Sequence, residues 1–297
     1  MKKTFLFSLG LILAFSSLFI SCSEKEPVYY NVSVNSSEGG KANFSGNYLG
    51  NSMVVDEGES ITVVATPDEG CVFLGWFIGD SETAVSTEVT YTFTVNENIA
   101  LIARFKEIEA IDLGLSVKWA AYNVGATKPE EYGGYYAWGE TEEKSNYDWS
   151  TYKWCNGSEN TMTKYCTDSS FGTVDNKTTL DPEDDVAHVK WGGDWRMPTT
   201  DEQRELLNNC DWEWTTLNGV NGYRVTGPNG NSIFLPAAGC RLDTFINFRG
   251  NFGLYWSSSL YSDYSGGAYR LNFFDGNYDR NHFGSRYDGR SVRPVSK

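Results

Sequence analysis

The stretch Tyr91-Thr92-Phe93-Thr94-Val95-Asn96-Glu97-Asn98-Ile99-Ala100-Leu101-Ile102-Ala103-Arg104-Phe105 alternates apolar and other residues on both sides of a short polar break. In an extended chain successive side chains point to opposite faces, so Tyr91, Phe93 and Val95, then Ile99, Leu101, Ala103 and Phe105, are expected to line one core. Asn96-Glu97-Asn98 reads as a turn between two strands. Upstream, Tyr30 to Val34 and Ile61 to Ala65 read as further strands, and Glu38-Gly39-Gly40 and Pro67-Asp68-Glu69-Gly70 as turns. Residues 28–106 are therefore expected to form a small antiparallel β-module.

Several motifs of this span occur in a characteristic order: Glu38-Gly39-Gly40, Glu57-Gly58-Glu59-Ser60 with Ile61-Thr62-Val63, Ala65-Thr66-Pro67, Phe73-Leu74-Gly75-Trp76-Phe77 and Ala103-Arg104-Phe105. That succession resembles the bacterial repeat domains of internalin B-repeat type. The resemblance implies a stalk or spacer that presents a neighbour, not a catalyst. Cys71 stands where the pattern commonly has Tyr, which implies a packed position. Residues 23–110 carry 14 acids against 4 bases, read as a solvated surface, because no Asp-x-Asp-x-Asp-Gly calcium loop accompanies them.

The N-terminus reads as an address. Lys2 and Lys3 precede an apolar run from Phe5 to Ile20, too short to span a bilayer, and the run ends in Phe19-Ile20-Ser21-Cys22. This resembles a bacterial lipoprotein signal, with residues 1–21 removed and Cys22 lipidated. Residues 22–27, with Ser23-Glu24-Lys25-Glu26, form an acidic linker similar to that of surface-exported lipoproteins of the Bacteroidetes lineage. The resemblance implies an outer-membrane lipid anchor and display on the outer face.

Nine of the ten Trp lie after residue 110, so large rings should supply much of the buried area there. Asp181-Pro182-Glu183-Asp184-Asp185 offers an N-cap, a first-turn Pro and dipole-opposing acids, with Val186 and Val189 expected to face inward. Thr199-Thr200-Asp201-Glu202 is a capping box opening a helix that runs to Cys210. Asp275-Gly276 marks a hairpin turn after Leu271-Asn272-Phe273.

Seven blocks of residues 110–297 follow in the order of the Fibrobacter succinogenes major paralogous domain. They are Asp112 to Ala120, Asn123 to Ala126, Tyr135 to Glu140, Trp195-Arg196-Met197-Pro198-Thr199, Phe234 to Gly239, Tyr255 to Ser259, and Ser291 to Val295. The stretch Asp184 to Glu205 also resembles a unit of sulfatase-modifying-factor and C-type-lectin-like folds. The resemblance implies an α+β class: the small antiparallel module followed by a C-type-lectin-like domain with two short helices and a loop-rich sheet. No catalytic residue carries over from it.

Composition narrows function further. The net charge of −15 argues against nucleic acid as a partner. His188 and His282 are the only histidines, and no zinc cluster, calcium loop or Walker motif is present, so no cofactor or metal is expected. Three expectations concern side chains. Trp149, Tyr152 and Trp154 flank Ser150-Thr151, where flat rings could stack on sugar faces, with core packing as the competing reading. Cys155 and Cys166 enclose a polar loop and are the easiest disulfide pair. Between Trp191 and Ser296 there are ten Arg and no Lys, which fits either anionic-glycan recognition or internal Arg–carboxylate pairs; Arg196 is expected to be structural.

The resulting expectation is a surface lipoprotein whose β-module presents a ligand-binding or adhesion domain to an extracellular glycan or surface protein. Its rivals are a surface polysaccharide-processing enzyme using a carboxylate pair and a purely structural envelope protein.

Overall fold

In the computed structural model the chain is described at residues 26–46 and 48–297, with the side chains of 279–282 excepted. The signal segment and Cys22 lie outside the described residues. The alternation read at Tyr91 to Phe105 produces two packed sheets. Strands β1 (Tyr29–Ser36), β2 (Gly40–Phe44), β3 (Ser52–Asp56), β4 (Ser60–Pro67), β5 (Cys71–Ile78), β6 (Thr90–Thr94) and β7 (Ile99–Glu107) divide into the orders β3-β1-β7-β5 and β2-β4-β6. Leu101, Ala103 and Phe105 are buried beside Val32, Val34, Val63 and Trp76 in the core between them.

The module is not wholly antiparallel. Residues Asn96 to Asn98 do not close a hairpin: β6 pairs with β4, whereas β7 pairs antiparallel with β5 and parallel with β1, register Val32↔Ile99 to Ser36↔Ala103. The polar break carries the chain from one sheet to the other, which period-two patterning cannot distinguish from a hairpin.

The module meets the rest of the chain directly. Gly70 N–H donates to Trp191 O at 2.6 Å and Ile108 N–H to Gly70 O at 2.8 Å. Ile108, 5% exposed, belongs to the same cluster as Trp138, Trp191, Trp195 and Trp256.

Downstream come β8 (Ala110–Ile111), β9 (Lys118–Ala120), a 3-10 turn at Pro182–Asp184, α1 (Val186–Trp191), α2 (Thr200–Asn209), β10 (Asp211–Leu217), β11 (Val220–Thr226) and β12 (Ser232–Pro236). They are followed by β13 (Cys240–Leu242), β14 (Phe245–Asn247), β15 (Phe252–Leu260), β16 (Gly267–Phe274), β17 (Asn277–Ser285), β18 (Gly289–Arg290) and β19 (Val295–Ser296). Four three-stranded sheets result: β19-β9-β8, β10-β11-β12, β14-β13-β18 and β15-β16-β17. The α+β expectation is therefore corrected. Among the described residues two helices of 6 and 10 residues stand against nineteen strands in several small sheets, a mostly β architecture.

Local signals explain the elements that do form. Thr199 Oγ1 accepts from Glu202 N–H while Glu202 Oε2 accepts from Thr199 N–H, the reciprocal cap that starts α2. Asp185, not Asp181, caps α1, accepting from Ala187 and His188 N–H. That start buries Val186 and, contrary to the inward reading, leaves Val189 47% exposed. Asp275-Gly276 joins β16 to β17, with Gly276 at φ 76°, where the absence of a Cβ removes the strain.

Two arginines hold the loops onto these sheets. Arg286 is fully buried: its Nε donates to Tyr152 Oη, Nη1 to Tyr165 O and Ser265 O, and Nη2 to Lys164 O. Arg293, 1% exposed, donates to Asn123 Oδ1 and to the carbonyls of Ala120, Ala121 and Phe234. No carboxylate takes part in these hydrogen bonds. For Arg293 burial brings the guanidinium pKa down to about 10, so it stays charged near neutrality.

Candidate functional site

The aromatic trio does not make an exposed platform. Tyr152 is 3% exposed, its hydroxyl donating to Trp138 O and accepting from Arg286. Trp149 and Trp154 are half-buried: Trp149 meets Tyr287 edge to face at 4.8 Å, and Trp154 Nε1 donates to Gly139 O. The expected Cys155–Cys166 bridge is also absent, since both are free thiols. Cys155 Sγ lies 3.2 Å from Trp149 O and Cys166 Sγ 3.1 Å from Asp168 O, each held by its own turn.

The acid run converges, but on a lysine. The carboxylates of Asp181, Glu183 and Asp184 lie close enough together to share an ion. Lys164 Nζ stands 2.6 Å from both Asp181 and Asp184, and Lys177 adds a second contact to Asp181. Hydrogen bonds from these ammonium groups hold the Asp181 carboxyl below the usual carboxylate range. Arg196 likewise forms a two-pronged pair with Glu202, at 2.8 and 2.6 Å, beside the start of α2. It ties the capping box to the preceding strand-like segment, as its sequence context implied.

A different set of residues forms a cleft with unspent recognition chemistry. In β15 and β16, Leu254 opposes Asn272 and Trp256 opposes Arg270, so these four share one face of the sheet, while Leu271 and Phe273 turn to the core behind it. Cys240 of β13 opposes Arg290 of β18. Between the two small sheets lies a crevice of about 230 Å³. Phe248, Phe252 and Leu254 form its apolar wall, and Arg270, Asn272, Asp288 and Arg290 its polar one. Phe248 is 54% exposed and packs against Phe252 at 5.3 Å, placing a ring at the mouth.

Arg290 is held rigidly. Its guanidinium lies 4.8 Å over the Trp256 ring, and Nη2 pairs with Asp288. A Cβ on Gly284 would stand 2.5 Å from that Nη2, so only glycine permits this approach. Burial raises the Asp288 carboxyl above the usual range, against the pull of Arg290. Burial also pushes the Cys240 thiol up, so it is no ready nucleophile. Arg290 is 5% exposed, yet its Nε and Nη1 have no hydrogen-bond partner, and neither has Asn272 Oδ1. Buried polar groups are nearly always paired, and an orphan costs free energy that something must justify.

Sequence reasoning missed this cleft. The available signal was the strand segment Tyr269 to Phe274, where Arg270 and Asn272 alternate with core residues, combined with the excess of Arg over Lys in the same region.

Residues 30–109 match the family model of the divergent InlB B-repeat domain, so the chain carries a bacterial repeat module. No curated protein and no solved structure matches the chain significantly.

Proposed function

We propose that this protein is a surface-displayed lipoprotein whose repeat module holds a binding domain away from the outer membrane. That domain takes an extracellular ligand, a glycan or a surface protein, in the crevice between β13–β18 and β15–β16. The carrying observation is Arg290, a buried guanidinium clamped on Trp256 with two donors unpartnered at the wall of an apolar-and-polar cleft. Ligand sites combine mostly apolar lining with a few convergent polar groups, and this crevice has that make-up.

The display half of the reading is supported by the apolar run ending at Cys22 and by the repeat module, a surface or adhesion-related type. Among the described residues the acid cluster of Asp181, Glu183 and Asp184 is engaged by Lys164, so that cluster supplies no free acid/base pair, which supports binding over polysaccharide cleavage.

Two measurements test it. Metabolic labelling with a fatty-acid analogue should mark the wild type and not Cys22→Ser; equal labelling overturns the anchor. A glycan and surface-protein array probed with residues 28–297 should give signals that Phe248→Ala weakens, since that exposed ring can be removed without touching the core. If no signal responds to Phe248→Ala, the crevice is not the binding site.

A further inference from the structure

We infer that the junction between the repeat module and the rest of the chain is a docking groove for a basic peptide segment of a partner protein. The groove is separate from the crevice and does not depend on it. It encloses about 610 Å³ between the β1–β2 and β4–β5 turns, the end of β7, Trp195 and β19. The module lines it with three carboxylates, Glu38, Glu69 and Glu107, and no lysine or arginine lines it. All three are exposed, and among the described residues none forms an ion pair or a side-chain hydrogen bond. Lys106, the base next to Glu107, is directed elsewhere, its Nζ 5.6 Å over the Tyr122 ring. A Cβ on Gly192 would stand 2.8 Å from Glu69 Cγ, so the glycine after α1 makes room for that side chain. With no base in the lining to offset these acids, the groove favours a cation.

Acids alone would suit any cation. Trp195, from the C-terminal side, narrows the choice. It is 7% exposed, and its Nε1 is the one atom within 4 Å of where a Cβ on Gly70 would stand, at 4.0 Å. Gly70 lines the groove, so this indole N–H faces into it, and it forms no hydrogen bond among the described residues. A nearly buried indole N–H normally has an acceptor. A metal ion or a polyamine brings positive charge but no acceptor. A peptide carrying lysine or arginine brings both, side-chain cations for the carboxylates and a main-chain carbonyl for the Trp195 N–H. Phe105, Ile108 and Ala110 give the aliphatic stems of such residues an apolar surface to lie on. A second copy of this chain, with its net charge of −15, would be repelled and is the poorer occupant.

The test is calorimetric titration of residues 28–297 with the trilysine peptide acetyl-Lys-Lys-Lys-amide. Spermine supplies the charges without a carbonyl, acetyl-Gln-Gln-Gln-amide the carbonyls without charge, and calcium chloride a bare ion. Saturable binding of trilysine is expected, roughly tenfold or more tighter than that of any other probe and weakening as salt rises. Joint replacement by Glu38→Gln, Glu69→Gln and Glu107→Gln should weaken it roughly tenfold or more. These side chains are exposed and unpaired, so the triple variant should melt as wild type. The indole N–H resonance of Trp195 in the nuclear magnetic resonance spectrum should shift with trilysine and stay in place with spermine.

Spermine or calcium binding as tightly as the peptide, with the Trp195 resonance unmoved, would overturn the peptide assignment and leave a cation site. Trilysine binding that survives the triple substitution, or no binding of trilysine, would overturn the groove as a docking site. A wild-type dimer in sedimentation that the triple substitution dissociates would also overturn it, by giving the groove to a second copy. None of these outcomes bears on the crevice, which Phe248→Ala tests.

Discussion

Replacing Arg286 by Met keeps an unbranched side chain of comparable reach in a fully buried position but removes every donor. The carbonyls of Lys164, Tyr165 and Ser265, each 3.0 Å from the guanidinium, then lose their partner, while the Tyr152 hydroxyl keeps its bond to Trp138 O. Stranding a buried acceptor costs about 1–3 kcal/mol, so three carbonyls give roughly 3–9 kcal/mol. Against this, the guanidinium is buried without a carboxylate, and its removal relieves several kcal/mol of desolvation. The expected net loss is about 3 kcal/mol, which for a domain of this size lowers Tm by roughly 6–12 °C. Thermal unfolding of residues 28–297 followed by near-ultraviolet circular dichroism measures it. Hydrogen exchange should show lost protection in residues 150–180, which Arg286 ties to the β15–β16 turn. Arg286→Lys should fare little better, because one ammonium cannot reach carbonyls on opposite sides of a planar fork. A Met variant melting within about 2 °C of wild type, without added exchange in that loop, would refute the idea that this guanidinium holds the loop by hydrogen bonds.

Other outcomes follow from the same geometry. Arg196→Lys should cost about 1–2 kcal/mol in chemical denaturation, since the two-pronged pair with Glu202 becomes a single contact. Burial opposes ionisation of Glu202, but Arg196 and the Thr199 N–H outweigh it and hold the carboxyl below its ordinary 4.5. A depressed carboxyl stabilises the fold above its unfolded value and loses that contribution as pH falls through the folded one. Wild type should therefore lose stability below about pH 4.5 more steeply than Glu202→Gln, as pH-resolved melts would read. Ile108→Ala in a fragment of residues 106–297 should destabilise by about 2–4 kcal/mol, because Ile108 packs in the core of that part; an unchanged denaturation midpoint would show the contact to be superficial. Lys164→Met should lower Tm and make it rise on adding calcium, which wild type does not show, since three converging carboxylates lose the cation that neutralises them.

The elements readable from sequence were those whose signal is local. Thr199 and Glu202 sit three residues apart and cap each other, Asp275-Gly276 turns where its backbone demands, and Leu101, Ala103 and Phe105 share a face because of the strand period. Partner choice was not local. Nothing at Asn96 to Asn98 distinguishes a return to the adjacent strand from a passage to the other sheet, and the parallel β1–β7 pair depends on residues more than sixty positions apart. The choice between platform and packing for the aromatic trio was not legible for a related reason: polar neighbours such as Ser150 and Thr151 are satisfied by turn hydrogen bonds around Asp148, so their polarity says nothing about where the rings point. The crevice needed Arg290 brought beside a β16 face eighteen residues upstream of it, across a hairpin, and only the surplus of arginine hinted at it.

The parallel pairing of β1 with β7 has a mechanical meaning. Tyr29 begins β1 at one end of the module and Glu107 ends β7 at the other, so the chain enters and leaves at opposite ends, separated by about nine residues of strand, roughly 30 Å. Tension applied between the start of β1 and the chain beyond β7 therefore runs along the two strands in opposite directions. The ladder from Val32↔Ile99 to Ser36↔Ala103 is loaded in shear, where its hydrogen bonds resist together, and not peeled open one rung at a time.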